Sequence, residues 1–166
     1  MQEQTKLEQE QEAFVRDTLR TLLGQDSPTG FTEKVVDLAE GIARDLGFET
    51  RRTAKGNLMV AVPGREADRR VGLCAHLDTL GLMVRSITSE GMLMVTRVGG
   101  PLMPTLDGEY CRVYTRDGRV YTGTVLSLSP SVHVQDDAAT RARDEKNMAV
   151  RIDEKVHDKE GVQALG

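Results

Sequence analysis

The chain has no tryptophan, three tyrosines, three phenylalanines and two cysteines among its 166 residues. A core built from this composition depends on aliphatic side chains and methionine rather than on large aromatic rings. The two cysteines, Cys74 and Cys111, do not have the spacing of a metal-binding pair, which excludes a cysteine-based zinc module. Both lie in apolar runs, so we expect them to be buried free thiols.

Long apolar runs and an excess of positive charge are also missing. No run approaches the length of a transmembrane helix, and residues 1–6 lack the apolar core of a signal peptide, so we expect a soluble cytoplasmic protein. The formal net charge is −4, and Arg141 and Arg143 are followed at once by Asp144 and Glu145. We therefore expect neither a nucleic acid nor a membrane as a partner.

The periodicity of apolar residues changes along the chain. Helical spacing predicts a helix from Leu7 to Leu23 that ends at Gly24, and a second helix from about Phe31 that ends at Gly47. An exposed strand over residues 48–53 and buried strands over residues 58–62 and 71–75 come next. Helices followed by strands indicate an α/β layer architecture.

The second half of the chain predicts a small β-rich lobe. Turn signals at residues 88–91 and 116–119 divide two hairpins, over residues 82–96 and 110–126. A further strand is expected at residues 148–152 and a short terminal helix at residues 158–165. Such tight turns between short strands are typical of a barrel or sandwich lobe.

The candidate site follows the predicted strand 71–75, where the sequence reads His76-Leu77-Asp78. Because strand side chains alternate with period two, His76 and Asp78 point the same way. Ligands of α/β proteins usually bind at the carboxyl edge of the sheet. An imidazole there can bind zinc, and a nearby carboxylate can hold the ring in the required tautomer.

Three segments follow one another along the chain: Ser27-Pro28-Thr29-Gly30 before a helix, Lys55-Gly56-Asn57-Leu58 before a strand, and the run from Ala75 to Val84 that contains the His76 motif. Val98-Gly99-Gly100 comes after them, at the end of a hairpin. This order resembles the cytoplasmic di-zinc aminopeptidases of the glutamyl-aminopeptidase, FrvX and tetrahedral-aminopeptidase type, of which this chain matches the N-terminal portion. Three later segments carry a finer similarity: Gly108-Glu109-Tyr110-Cys111, Ser131-Val132-His133-Val134 and the run from Asn147 to Glu154. They resemble the subgroup whose genes are found beside those for synthesis of the osmoprotectant N-acetylglutaminylglutamine amide.

The resemblance implies a specific organisation and chemistry. Residues 1–92 would be the N-terminal part of a three-layer zinc-exopeptidase domain, and residues 93–166 an incomplete β-rich insert, PDZ-like or barrel-like, used for dimerisation. By analogy His76 would be a zinc ligand and Asp78 the catalytic residue that orients it. Two zinc ions, or cobalt or manganese, would activate water to release N-terminal residues from short peptides. The family implies a homo-oligomer, from dimers towards a dodecamer.

The same resemblance shows what this chain lacks. The family's bridging Asp, its Glu-Glu pair and its later Asp and His ligands follow the insert, and the chain ends before them. We therefore expect the 166 residues alone to be inactive. His133, in an alternating segment read as a strand, and His157 are not expected to complete the site, and Asp136 and Asp137 are read as turn residues. Thr79 stands where many relatives carry an acidic residue.

Two other functions stay open. The chain could be a non-catalytic oligomerisation or regulatory module that associates through unpaired strand edges. More distantly, it could belong to another hydrolase of the zinc-exopeptidase clan, such as a deacylase or a carboxypeptidase. The Val98-Gly99-Gly100 hairpin directly after the His76 motif favours the aminopeptidase branch.

Overall fold

The computed structural model describes residues 2–66 and 68–166. Met1, which belongs to the N-terminal segment 1–6, and Ala67, which lies between the predicted strands 58–62 and 71–75, are outside the described residues. The chain divides into two compact units, residues 1–79 and residues 80–166. The division into a metallopeptidase part, residues 1–92, and an insert, residues 93–166, concerns the family's domain organisation and stays a prediction.

The first unit contains two helices and a two-stranded ribbon: α1 (Gln2–Leu23), α2 (Glu33–Asp45), β1 (Glu49–Arg52) and β2 (Leu58–Ala61). Both predicted helices and the exposed strand are confirmed. Helix α2 ends as expected, because Gly47 adopts a φ of +83° and its N–H donates to the carbonyl of Arg44 at 2.8 Å. Its inward-facing Glu40 accepts hydrogen bonds from Thr50 and Arg52 of β1, so a polar cluster joins the helix to the ribbon.

The predicted buried strand over residues 71–75 is wrong. This segment has no strand pairing, and Val71 and Leu73 are 90% and 97% exposed. A strand needs a neighbour for its backbone hydrogen bonds, and within the described residues β1 and β2 pair only with each other. Cys74 lies in this segment, so it is exposed rather than buried.

The predicted strand over residues 58–62 is confirmed in place but not in burial. Strand β2 pairs with β1 in an antiparallel register that sets Arg51 opposite Met59. Met59 and Val60 are exposed, because the ribbon has only two strands and no further described strand covers it.

The second unit is built on one antiparallel sheet of five strands: β3 (Gly81–Ile87), β4 (Leu93–Val98), β5 (Tyr110–Tyr114), β6 (Val120–Ser127) and β7 (Met148–Ile152). Their spatial order is β3-β4-β7-β6-β5. A 3₁₀ turn, Met103–Leu106, lies between the hairpins, and a short helix α3 (Lys159–Gln163) follows the sheet. Both predicted hairpins, the strand at 148–152 and the terminal helix are confirmed.

The core of the second unit is aliphatic, as the composition predicts. Its fully or nearly buried members are Leu93, Val95, Met103, Val125, Met148, Val150, Ile152 and Val162. Gly123 on β6 lies against β7 so closely that a Cβ there would sit 2.8 Å from Val150 Cγ1 and 2.9 Å from the Arg151 carbonyl oxygen. Cys111 on β5 is half-buried, and burial raises the pKa of its thiol.

Residues 131–134, read from their alternation as a strand, form a turn instead. The N–H of Val134 donates to the Ser131 carbonyl at 3.2 Å, and His133 is exposed. Strand β6 already has β5 and β7 as neighbours, so it offers no free edge to this segment. Asp136 and Asp137 lie in a turn, as expected.

Arg141 forms an ion pair with Asp137, and Arg143 forms one with Asp107. Among the helices of the described residues, none is long and apolar enough to cross a lipid bilayer.

Candidate functional site

The candidate site is held by a contact between two distant loops of the first unit. The N–H of Thr79 donates to the Ser27 carbonyl at 2.8 Å, and Pro28 and Thr79 form a parallel bridge. The Ser27 hydroxyl donates to the Leu77 carbonyl at 2.9 Å. Ser27 is only 1% exposed. Residues 77–79 are therefore fixed by the loop before α2, although residues 71–75 are not a strand.

Within this segment His76 and Asp78 are brought together, as their spacing predicts. Nδ1 of His76 lies 3.2 Å from Oδ1 of Asp78 and 3.0 Å from the Asp78 backbone carbonyl. Both of these neighbours are acceptors, an arrangement that favours the neutral tautomer with its proton on Nδ1. The His76 side chain is 84% exposed, so Nε2 of this tautomer offers its lone pair on an open surface.

Asp78 has a second partner that the sequence did not predict. The hydroxyl of Thr29 donates to Oδ2 of Asp78 at 2.6 Å. This hydrogen bond is the main reason why the pKa of Asp78 lies below its usual range, and the nearby His76 lowers it further against the opposing effect of desolvation. Asp78 is therefore ionised at neutral pH, and its two oxygens are shared between Thr29 and His76.

The donors present fit one ligand of a metal centre and its supporting carboxylate. A neutral imidazole whose Nδ1–H donates to a carboxylate is the usual form of a metal-bound histidine. A catalytic zinc site needs three protein ligands and an open position. Across residues 2–66 and 68–166, no group of three His, Cys, Asp or Glu side chains is placed to hold a metal ion. The metal-binding role of His76 and the orienting role of Asp78 stay predictions.

Sequence reasoning missed Ser27 and Thr29 as parts of the site. Their side-chain contacts with Leu77 and Asp78 span about fifty positions of the chain, a separation that no periodicity can reveal. The available signal was the Ser27-Pro28-Thr29-Gly30 segment itself, which the resemblance singled out. Small hydroxyl-bearing residues beside proline and glycine form turns whose side chains bond nearby backbone or carboxylate groups.

Comparison with known proteins gives a consistent result. A family model described as M42 glutamyl aminopeptidase matches residues 56–166. The putative aminopeptidase YhfE of Bacillus subtilis is 40% identical over 148 residues, which cover 89% of this chain and 43% of that protein.

Solved structures agree in fold. The TET aminopeptidase of a marine-sediment Thaumarchaeota archaeon has a TM-score of 0.80 at 22% identity, covering 94% of this chain and 42% of that one. The Pyrococcus horikoshii TET1 peptidase, described as able to assemble into a tetrahedron or a large octahedral shell, has a TM-score of 0.71 at 25% identity, with coverages of 90% and 43%. The chain spans less than half the length of the curated relatives that it matches.

Proposed function

We propose, from the premise that this chain belongs to the M42 glutamyl aminopeptidase family, that it forms part of a metal-dependent aminopeptidase and carries one of its metal ligands. The observation that supports the proposal most directly is the arrangement of His76 and Asp78, with Nδ1 and Oδ1 at 3.2 Å. A carboxylate is one of the usual partners of the second ring nitrogen of a metal-bound histidine.

In this proposal His76 binds the metal through Nε2, and the Asp78 carboxylate accepts a hydrogen bond from Nδ1–H and so fixes the ring. When bound, two zinc ions supply Lewis acidity, which polarises the scissile carbonyl and lowers the pKa of the attacking water. Cobalt or manganese are alternative metals for the same nitrogen and oxygen donors. The substrates we propose are short peptides that lose their N-terminal residue. The cytoplasmic location stays a prediction.

The test uses the gene's whole reading frame, expressed and loaded with zinc, cobalt or manganese in turn. Amino-acid p-nitroanilides and short peptides serve as substrates. We expect metal-dependent release of the N-terminal residue, and loss of turnover to background in His76→Ala. Asp78→Asn is expected to lower metal affinity or activity by about 10–100-fold, which is typical when a partner of a metal ligand is lost.

The matched control is His133→Ala, which removes an exposed turn histidine of the second unit. It should keep the wild-type rate and metal content. A His76→Ala enzyme with unchanged turnover and metal content would refute the assignment. Turnover that survives complete removal of metal by a chelator would refute the metal-dependent chemistry.

We expect that the 166-residue chain by itself does not bind one zinc ion per chain tightly and does not hydrolyse peptides. The reason is the absence of a three-ligand cluster within the described residues. Competition with a chromophoric zinc chelator measures this. A zinc ion retained at one per chain would contradict it.

We also propose that the chain self-associates, from dimers towards larger assemblies. Two observations support this: β3 and β5 are edge strands of the five-stranded sheet, and the similar TET1 peptidase is described as forming closed shells. Edge strands offer unpaired backbone groups to a second chain. Sedimentation velocity at micromolar concentration tests it, and a single sharp monomer boundary would argue against it.

A further inference from the structure

The loop that precedes α2 contacts the candidate site through a side chain as well as through its backbone. The backbone contacts of Ser27 and the Pro28–Thr79 bridge fix residues 77–79 in place. Thr29 adds a different contact, because its hydroxyl reaches the carboxylate of Asp78 at 2.6 Å. This distance is short for a hydroxyl hydrogen bond, as expected when the acceptor is a charged carboxylate.

The contact matters because an aspartate carboxylate otherwise rotates easily about its last torsion, which is broad and roughly two-fold. A bond to Oδ2 fixes the plane of the carboxylate, and the plane determines where Oδ1 lies. Oδ1 lies 3.2 Å from Nδ1 of His76, beside the Asp78 backbone carbonyl at 3.0 Å, so the side-chain acceptor adds to a backbone one. The His76 side chain is 84% exposed, so packing does little to orient its ring.

We propose that Thr29 is a positioning residue that acts on His76 through Asp78. By holding Oδ2, Thr29 aims Oδ1 at Nδ1 and keeps the imidazole proton on that nitrogen, which leaves the lone pair on Nε2. This inference rests on the proposed function, in which Nε2 binds the metal. Ser27 has a separate role, since its contacts are to backbone and side-chain atoms of residues 77 and 79 and not to the carboxylate.

The test reads the tautomer of His76 directly in the 166-residue chain, without metal or substrate. Long-range ¹H–¹⁵N correlation spectra are recorded at about pH 8.5, where a histidine ring is neutral. In the wild type we expect a protonated Nδ1 and an unprotonated Nε2, seen as two well-separated ¹⁵N shifts. In Thr29→Val, which keeps the side-chain shape but has no hydroxyl, we expect the two shifts to move towards each other as the tautomers mix.

Three variants make the result specific. Thr29→Ser restores the hydroxyl and should restore the wild-type spectrum. Thr105→Val, the control, removes an exposed hydroxyl that donates to the Leu102 carbonyl in the second unit, and it should leave His76 unchanged. Asp78→Asn removes the charged acceptor and should mix the tautomers as Thr29→Val does.

The amide spectrum of Thr29→Val away from residue 29 should match that of the wild type, which shows that the variant is folded. The proposal is overturned if this folded variant keeps the wild-type separation of the two ¹⁵N shifts. It is also overturned if the wild-type ring is protonated on Nε2. Both outcomes are read without metal or turnover, so they are distinguishable from a failure of the proposed function. Failure of the His76→Ala turnover assay would instead reject the proposed function and leave the tautomer result standing.

Discussion

Replacing Met148 with alanine tests whether the five-stranded sheet has its own core. Met148 begins β7, the central strand, is 0% exposed, and belongs to the aliphatic cluster with Leu93, Val125 and Val150. Full burial of a methionine side chain stabilises a protein by about 1.5–3 kcal/mol. The cavity left by truncation adds to the loss, so Met148→Ala should cost about 2–5 kcal/mol of unfolding free energy.

That loss is large for a unit of this size. At about 0.05–0.15 kcal/mol per residue, residues 80–166 have a total stability of about 4–13 kcal/mol. With a urea dependence of about 1 kcal/mol per M, the unfolding midpoint should fall by about 2 M or more. A marginally stable unit would be unfolded by this single change.

Tyrosine fluorescence is the appropriate assay, because the chain has no tryptophan and its three tyrosines, Tyr110, Tyr114 and Tyr121, all lie in the second unit. The signal therefore follows that unit even if the first unit unfolds separately. Met83→Ala is the matched control, since Met83 on β3 is 58% exposed, and it should change the free energy of unfolding by less than about 1 kcal/mol. Equal midpoint shifts for the two variants would refute the assignment of the core.

Two other predictions concern the same sheet. Gly123→Ala should lower the free energy of unfolding by about 1–3 kcal/mol in the same assay, because its Cβ would lie 2.9 Å from the Arg151 backbone oxygen. The control is Gly100→Ala, which has open space around the new Cβ and should leave the free energy of unfolding unchanged. Similar losses in the two variants would contradict the close approach of β6 and β7 at Gly123. The pKa of Glu145 is held below its ordinary value of 4.5 mainly by the backbone N–H of Arg97 and then by the Arg97 guanidinium. Its ionised form therefore stabilises the fold above about pH 4.5, and this contribution is lost as the pH falls through the lowered native pKa. The difference in unfolding free energy between wild type and Glu145→Gln should therefore shrink as the pH is lowered. The control is Glu154→Gln at an exposed position, for which we expect no such change. A difference that grows on acidification would contradict the stabilising role of ionised Glu145.

Local patterns predicted most elements of the fold. Tight turns such as Asp117-Gly118 determine their hairpins through short-range geometry, so β5 and β6 could be located from the sequence. The apolar run 71–75 could not be assigned in this way, because an apolar segment becomes a buried strand only when neighbouring strands pair with it. The alternating residues 131–134 failed for the same reason: no described strand pairs with them, and the Val134 N–H closes a local turn on the Ser131 carbonyl.

The candidate site was predictable only in part. The pairing of His76 with Asp78 follows from a spacing of two residues, which places their side chains on one side of an extended chain. The contribution of Thr29 depends on a contact with a residue 49 positions away. Such a contact arises from tertiary structure, and only the conspicuous composition of the loop before α2 pointed to it.

The strand order of the second unit has a consequence for folding kinetics. The hairpins β3-β4 and β5-β6 each close over a few residues, and such local pairings form in about 1–10 μs. Neither hairpin pairs with the other; both pair with β7, which is synthesised last and lies between them. During translation the edges of β4 and β6 that pair with β7 therefore stay unpaired until residues 148–152 leave the ribosome. Pairing of β7 is thus the step that joins the two hairpins into one sheet. A slower synthesis of β7 prolongs the interval in which the unpaired edges can aggregate.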